Sequence, residues 1–360
     1  MIKTFEEVFE DKTKYGTKIK TEQYQKEGKN IIIDQGKEII SGYTDIQEGL
    51  FEDVPVIIFG DHTRIIKYVD RPFFLGADGV KILKSKFKDA NYKYLYYALR
   101  NIKIPNTGYN RHFKWLKEVE IEYPEIEIQT NIVKVLDKIV HIMNVKRKEI
   151  NNLNTLIKSR FTEMFGDPVS NSYDLPEATL SDLGEFGRGV SKHRPRNDIK
   201  LLGGKYPLIQ TGDIANAGLY ITSYSNTYSE LGLRQSKMWD KGTLCITIAA
   251  NIAKTAILEF DACFPDSVVG FIANERTNNI FIHYWFSFFQ AILESQAPES
   301  AQKNINLKIL SELKVIVPEK RKQDEFASFV KLIDKLKATI QKSIDEAQTL
   351  FDSLMQEYFG

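Results

Sequence analysis

The stretch Pro124-Glu125-Ile126-Glu127-Ile128-Gln129 returns 194 residues later as Pro318-Glu319-Lys320-Arg321-Lys322-Gln323. The same offset, without a gap, pairs Asn110 with Asn304, Lys114 with Lys308, Leu116 with Leu310, Glu118 with Glu312 and Ile139 with Ile333. It continues through Lys148 and Lys342, Ile150 and Ile344, Thr155-Leu156 and Thr349-Leu350, Ser159 and Ser353, Glu163 and Glu357, to Phe165-Gly166 and Phe359-Gly360. Shared helical periodicity does not produce identities at polar positions over so long an ungapped run. The chain carries an internal duplication.

Each copy reads as a short strand, a proline and one long helix. Val119, Ile121 and Tyr123 alternate with Glu118, Glu120 and Glu122, and Leu313, Val315 and Val317 repeat the period of two. Pro124 and Pro318 end the strands because proline donates no ladder hydrogen bond, and the glutamates that follow suit a helix N-terminus. Along the first helix Ile128, Ile132, Val135, Ile139, Ile142, Ile150, Leu153, Ile157 and Met164 keep close to 3-4 spacing, broken at Lys146. Phe326, Phe329, Ile333, Leu336, Ile340, Ile344, Ala347, Phe351, Leu354 and Tyr358 do so in the second. Such a stripe predicts a coiled-coil seam, with rods about 60 Å long that pack on each other.

The rods, within 109–167 and 302–360, separate two larger segments, 1–108 and 168–301, rich in β-branched and aromatic residues and glycine turns. These are the expected globular parts, and they resemble one another distantly. Ile32-Ile33-Asp34-Gln35-Gly36 is similar to Leu208-Ile209-Gln210-Thr211-Gly212-Asp213, and Phe73 to Val80 is similar to Cys263 to Val268. The expected order is globule, rod, globule, rod, with a pseudo-twofold internal repeat if the rods pair antiparallel.

At 360 residues and 42% hydrophobic, the chain has room for two such globules. No apolar stretch reaches the roughly 18 residues of a membrane span, and Met1 to Glu7 lacks a signal-peptide layout. A cytoplasmic protein is expected. Cys245 and Cys263 form no CxxC pair or disulfide framework, so reduced thiols are expected. The net charge of +1 counts against nucleic acid, and none of the four segments carries a basic excess above two. Locally, however, Arg188, Lys192, Arg194, Arg196, Lys200 and Lys205 crowd a glycine- and proline-bracketed stretch opposed only by Asp198. Lys12, Lys14, Lys18, Lys20, Lys26 and Lys29 form its counterpart in the first globule, opposed by Glu22 and Glu27. Guanidinium forks in such a loop suit phosphates or guanine edges.

Catalytic patterns are missing. The sequence holds no P-loop, GxGxxG fingerprint, GxSxG elbow, HExxH pair or Asn-Pro-Pro-aromatic motif, and its five histidines show no ligand spacing. The best enzyme candidate is Asp61 beside His62 in Phe59-Gly60-Asp61-His62-Thr63-Arg64, where a turn-forming aspartate is the stronger reading and a hydrolytic pair the weaker.

Val56 to Arg64, Gly76-Ala77-Asp78-Gly79-Val80, Arg160 to Pro168, Gly187 to Arg196, Gly204 to Ile214 and Cys263 to Ser267, in this order with duplicated rods, resemble the specificity subunit of type I restriction-modification systems. The resemblance covers essentially the whole chain. It implies α/β (α+β) target-recognition domains at 1–108 and 168–301, joined by two conserved helical regions that form an antiparallel coiled coil. Each domain would read one half of a bipartite double-stranded DNA target, with half-sites about one helical turn, roughly 34–36 Å, apart. It further implies no catalysis and no cofactor on this chain. Methylation of adenine with S-adenosylmethionine would fall to two modification subunits docked on the rods, and ATP-dependent cleavage to restriction subunits. Exposed rod charges such as Lys138, Arg147, Lys158, Lys335 and Lys342 are candidates for that docking. A chain that shares DNA clamping with partners needs few phosphate contacts, so weak, salt-sensitive DNA binding is expected of it alone. The DNA-contacting candidates are Arg188, Lys192, His193, Arg194, Arg196, Thr211, Asp213, Gln235 and Asn251 in the second globule, and Lys18, Lys20, His62, Thr63 and Arg64 in the first. A self-sufficient DNA-binding protein is the alternative.

Overall fold

Pro124 and Pro318 each sit between a three-residue strand and a forty-residue helix, and the corner is held alike in both copies. Gln129 Nε2 donates to the Pro124 carbonyl and Gln323 Nε2 to that of Pro318, both at 2.8 Å, and both glutamines are buried. The first helix stops at Gly166, whose φ of +75° avoids the Cβ clash of the left-handed region and lets its N–H reach the Thr162 carbonyl at 2.8 Å. Gly360 N–H likewise reaches the Gln356 carbonyl at 3.0 Å.

A computed structural model describes residues 1–76, 78–108, 110–196, 198–249, 252–296 and 305–360, with 291–296 as backbone only. The first half runs β1 (Ile2–Thr4), α1 (Phe5–Val8), β2 (Phe9–Asp11), β3 (Asn30–Ile33), β4 (Gly42–Thr44) and β5 (Val56–Gly60). It continues with β6 (Ile66–Val69), β7 (Phe73–Leu75), β8 (Val80–Ser85), α2 (Tyr92–Asn101), α3 (Phe113–Lys117), β9 (Glu120–Glu122) and the rod α4 (Ile126–Phe165). The second half runs β10 (Glu177–Thr179), β11 (Gly184–Arg188), β12 (Leu202–Leu208), α5 (Thr211–Asn216), β13 (Tyr220–Ile221), β14 (Asn226–Tyr228) and α6 (Glu230–Arg234). Then come β15 (Met238–Trp239), β16 (Leu244–Thr247), β17 (Thr255–Leu258), β18 (Ala262–Cys263), β19 (Val268–Ala273), α7 (Asn279–Gln296), α8 (Leu307–Ser311), β20 (Lys314–Ile316) and the rod α9 (Lys320–Phe359). The bounds of α3, β9 and α4 recur at α8, β20 and α9 with the offset read from the sequence.

The duplication extends into the globules. The antiparallel order β2-β8-β5-β6 of the first half recurs as β11-β19-β16-β17 in the second, with β13 added at one edge. Beside it, β3 lies between antiparallel β4 and parallel β7, as β12 lies between antiparallel β14 and parallel β18, with β15 beyond. The two similar pairs of segments noted in the sequence therefore fall on equivalent strands, β3 with β12 and their parallel neighbours β7 with β18.

Two compact units result, Met1–Lys148 with Gln341–Gly360, and Glu149–Ile340. Within the first, Leu136, Ile139 and Met143 of α4 cluster with Phe351 and Met355 of α9. Within the second, Ile157, Phe161 and Phe165 of α4 cluster with Phe326, Val330 and Ile333 of α9. Early residues of each helix thus meet late residues of the other, the arrangement of an antiparallel coiled coil. The expected seam needs correction in its membership, because Ile128, Val135, Ile142 and Leu336 are exposed. Seven-residue spacing marks a stripe but does not say which of two adjacent stripes faces inward. Leu136 and Met143 occupy the inner one. Among the described residues no helix is long and apolar enough to cross a membrane.

Candidate nucleic-acid interface

The second unit builds its basic loop on the edge strand β11. Gly189 follows, packed so closely on the Phe264 and Pro265 carbonyls that a Cβ would lie 2.3 Å from each. Its N–H donates to the Val268 carbonyl at 2.8 Å. Gln235 holds the next turn: its backbone carbonyl accepts Lys192 N–H at 3.4 Å and its Oε1 accepts His193 N–H at 3.0 Å, while its buried Nε2 has no partner among the described residues. His193 Nε2 lies 3.1 Å from Asp198 Oδ2. The Lys200 N–H, and then the His193 imidazole, hold Asp198 below the usual carboxylate range.

Asp266 lies across from this loop and corrects the expectation that Asp198 alone opposes it. Arg196 donates to Asp266 Oδ2 at 2.8 Å, Arg194 lies 3.6 Å from the same oxygen, and Arg188 Nε donates to the Asp266 carbonyl at 3.0 Å. Arg194 also donates to the Ser191 and His193 carbonyls at 2.6 and 2.9 Å. Lys205 faces Glu230 at 3.5 Å. Each guanidinium has five N–H donors, so these bonds orient the arginines and leave donors for a ligand. Arg188, Lys192, His193, Arg194 and Arg196 are all exposed. Half-buried Thr211 joins Arg196, Ser191, Gln210 and Asn226 around a cavity of about 310 Å³. Asp213 caps α5 instead, accepting Gln210 N–H at 2.8 Å and the Ser225 hydroxyl at 3.4 Å. Asn251 lies outside the described residues.

In the first unit the equivalent segment follows the equivalent edge strand, β2. Lys18 pairs with Asp78, in the turn after β7, while Lys20 stands exposed at the start of a short helical turn. Gln35 ties the neighbouring loops together. Its Oε1 accepts His62 N–H at 3.2 Å, its Nε2 donates to the Asp78 carbonyl at 3.2 Å, and its own carbonyl accepts the Thr63 hydroxyl at 2.7 Å. His62 packs over Gly79, whose φ is +81° and where a Cβ would lie 2.7 Å from the imidazole. Arg64 leaves this group and donates to the Ile104 carbonyl at 3.2 Å. Asp61 is buried and holds the chain before α3, with Oδ1 accepting Phe113 N–H at 2.7 Å.

The structure thus gathers Lys18, His62 and Thr63 around Gln35 and Asp78, and Arg188 to Arg196 around Asp266 and Gln235. Sequence reasoning missed Gln35, Asp78 and Asp266 as organisers. The available signal was their place in the two mutually similar pairs of segments. Among the described residues no group of three His, Cys, Asp or Glu could hold a metal ion.

The family described as type I restriction modification DNA specificity domain matches residues 1–155 and again 174–348. The chain belongs to this family. As a type I specificity chain it is 24% identical over 363 residues to the EcoR124I/EcoR124II specificity subunit of Escherichia coli, covering 94% of this chain and 86% of that one. The crystal structure of a type I restriction-modification S subunit from M. genitalium shares the fold at a TM-score of 0.61 and 18% identity, over 100% of this chain and 96% of that one. A structure from work on complex assembly and conformational transition of the type I system gives 0.56 at 14% identity, over 92% and 91%. Type I specificity subunits are non-catalytic and act with DNA and with the partner subunits of their complex, which carry the catalysis.

Proposed function

We propose that residues 1–108 and 168–301 of this specificity subunit each read one half of a bipartite double-stranded DNA target, while 109–167 and 302–360 fix the distance between the halves. One recurrence carries this reading. In both globules a cation-rich segment follows the equivalent edge strand and is held by an aspartate in the turn after the strand that runs parallel to β3 or β12, Lys18 on Asp78 and Arg194 with Arg196 on Asp266. Exposed cations fixed on a scaffold give phosphate contacts that set register, and arginine forks give guanine contacts that set sequence. Lys18, Lys20, His62, Thr63, Arg64, Arg188, Lys192, His193, Arg194, Arg196, Thr211, Gln235 and Asn251 make up the proposed contact set, with Asp213 shaping the end of it.

Two copies of a modification subunit complete the assembly, joined by restriction subunits, in the cytoplasm. Support comes from the rods. Repeat mates Ile142 and Leu336 are both exposed, as are repeat mates Leu156 and Leu350, so each unit offers one of each pair. A partner that binds one copy finds the same apolar positions in the other, flanked by exposed Lys138, Arg147, Lys158, Lys335 and Lys342. Adenine methylation and ATP-driven cleavage are then partner activities directed by this chain.

Methylome sequencing of cells with and without the gene tests the reading, which expects one bipartite adenine motif to appear with the gene. Arg194→Ala should lower methylation at that motif about tenfold through lost DNA contacts while co-purification with the modification subunit is unchanged. An unaltered methylome would end the proposal.

A further inference from the structure

Arg64 is one of four non-glycine residues with positive φ among the described residues, at +62°. Side chains with a Cβ rarely adopt this conformation, and such outliers gather where a site needs them. Its counterpart in the second unit is Ala253, at φ +58°, which like Arg64 lies two residues before the second strand of its hairpin. The backbone shape is therefore common to both halves. The guanidinium belongs to the first half only.

Arg64 enters a cleft of about 630 Å³ between the β5–β6 turn, the last turn of α2 and the segment after it. Lys37, Arg100 and Lys103 line the same cleft, with Tyr96 and four isoleucines, 65, 66, 102 and 104, as its other walls. No acidic side chain lines it, and none of the four cations has an ion-pair partner among the described residues. Arg64 Nε is buried and has no hydrogen-bond partner among the described residues. Arg100 is steadied by the Tyr96 hydroxyl at 3.4 Å and by the Phe351 ring at 5.6 Å. Four like charges around one concavity repel each other unless an anion bridges them. In the second unit Ala253 supplies no charge, and the adjacent Lys254 is engaged by Gln290 Oε1 at 3.0 Å.

We infer that this cleft of the first unit binds phosphate oxygens. Guanidinium forks match phosphate oxygens bidentately, lysines add point charge, and the tyrosine and isoleucine walls leave room for an organic moiety attached to the phosphate. The phosphate belongs either to a free nucleotide or polyphosphate, or to a DNA backbone contact made by the first half alone. The inference does not depend on which DNA sequence the chain reads.

The probe is pyrophosphate, titrated calorimetrically into the purified full chain at low salt. Saturable binding is expected, weakened about tenfold or more by Arg64→Gly and again by Arg100→Ala. Glycine accepts φ +62° readily, so Arg64→Gly should lose affinity without a lower melting temperature. Adding duplex DNA separates the sources: competitive displacement assigns the site to the DNA backbone, and simultaneous binding assigns it to a free ligand. Absent saturable binding, unchanged affinity in both variants, or affinity that falls only in step with melting temperature would each overturn the site. The assay contains no DNA in its first arm, so its failure leaves the methylome test of the proposed function untouched.

Discussion

Asp61 carries a structural task that its neighbour His62 disguises. Its Oδ1 accepts Phe113 N–H at 2.7 Å, and its carbonyl accepts His112 N–H at 2.8 Å with the His112 ring Nδ1 at 2.9 Å. Removing a buried charged acceptor strands the Phe113 donor, so Asp61→Ala should cost about 1.5–3 kcal/mol in denaturant unfolding, and Asp61→Asn, which keeps an acceptor oxygen, roughly half as much. Equal stability of Asp61→Ala and wild type would remove this role. The turn-forming reading of Asp61 was legible in the sequence, since adjacent residues on a strand point apart. The anchoring of Arg194 and Arg196 by Asp266 was not, because the partners are some seventy residues apart and charge patterning sees only neighbours along the chain. Cys245 and Cys263 are free and fully buried, and burial raises both thiols, which keeps them protonated.

Each rod starts from a buried glutamine, and the two glutamines are not equally committed. Gln129 returns its amide to the Pro124 carbonyl, whereas Gln323 bonds the Pro318 carbonyl, the Arg276 carbonyl at 3.0 Å and the Thr277 hydroxyl at 2.9 Å. Gln323→Ala should therefore destabilise by about 2–3 kcal/mol and Gln129→Ala by about 1 kcal/mol, read as separate urea midpoint shifts. A reversed order would show that the corners are held by something else. These glutamines explain why the repeat preserves polar identities along a helix whose seam is apolar. Helix position and length were readable from proline, glutamate and the 3-4 stripe. The inward face was not, because Ile128, Val135 and Ile142 and the truly buried Leu136 and Met143 obey the same heptad.

At the scale of the molecule, sequence similarity between Ile32–Gly36 and Leu208–Gly212 located equivalent strands, but not their parallel pairing to β7 and β18. Parallel partners are joined by long crossovers, and local patterning carries no record of which distant strand lies alongside. If the rods set half-site separation, matched seven-residue insertions in α4 and α9 should lengthen the unread spacer by up to about three base pairs, at 1.5 Å per residue, and leave both half-sites unchanged. Methylome sequencing of the insertion variant reads this directly, and altered half-sites with an unchanged spacer would refute the ruler.

The chain leaves the first unit through α4 and comes back to it through α9, so residues 341–360 complete a core that residues 1–148 began. Phe351 and Met355 pack there, Phe359 lies against Tyr94 at 5.3 Å, and its carbonyl accepts Asn101 Nδ2 at 2.9 Å. On the ribosome the first unit must consequently wait, partly open, while all of 149–340 is translated, and a premature stop near residue 340 would damage the half made earliest.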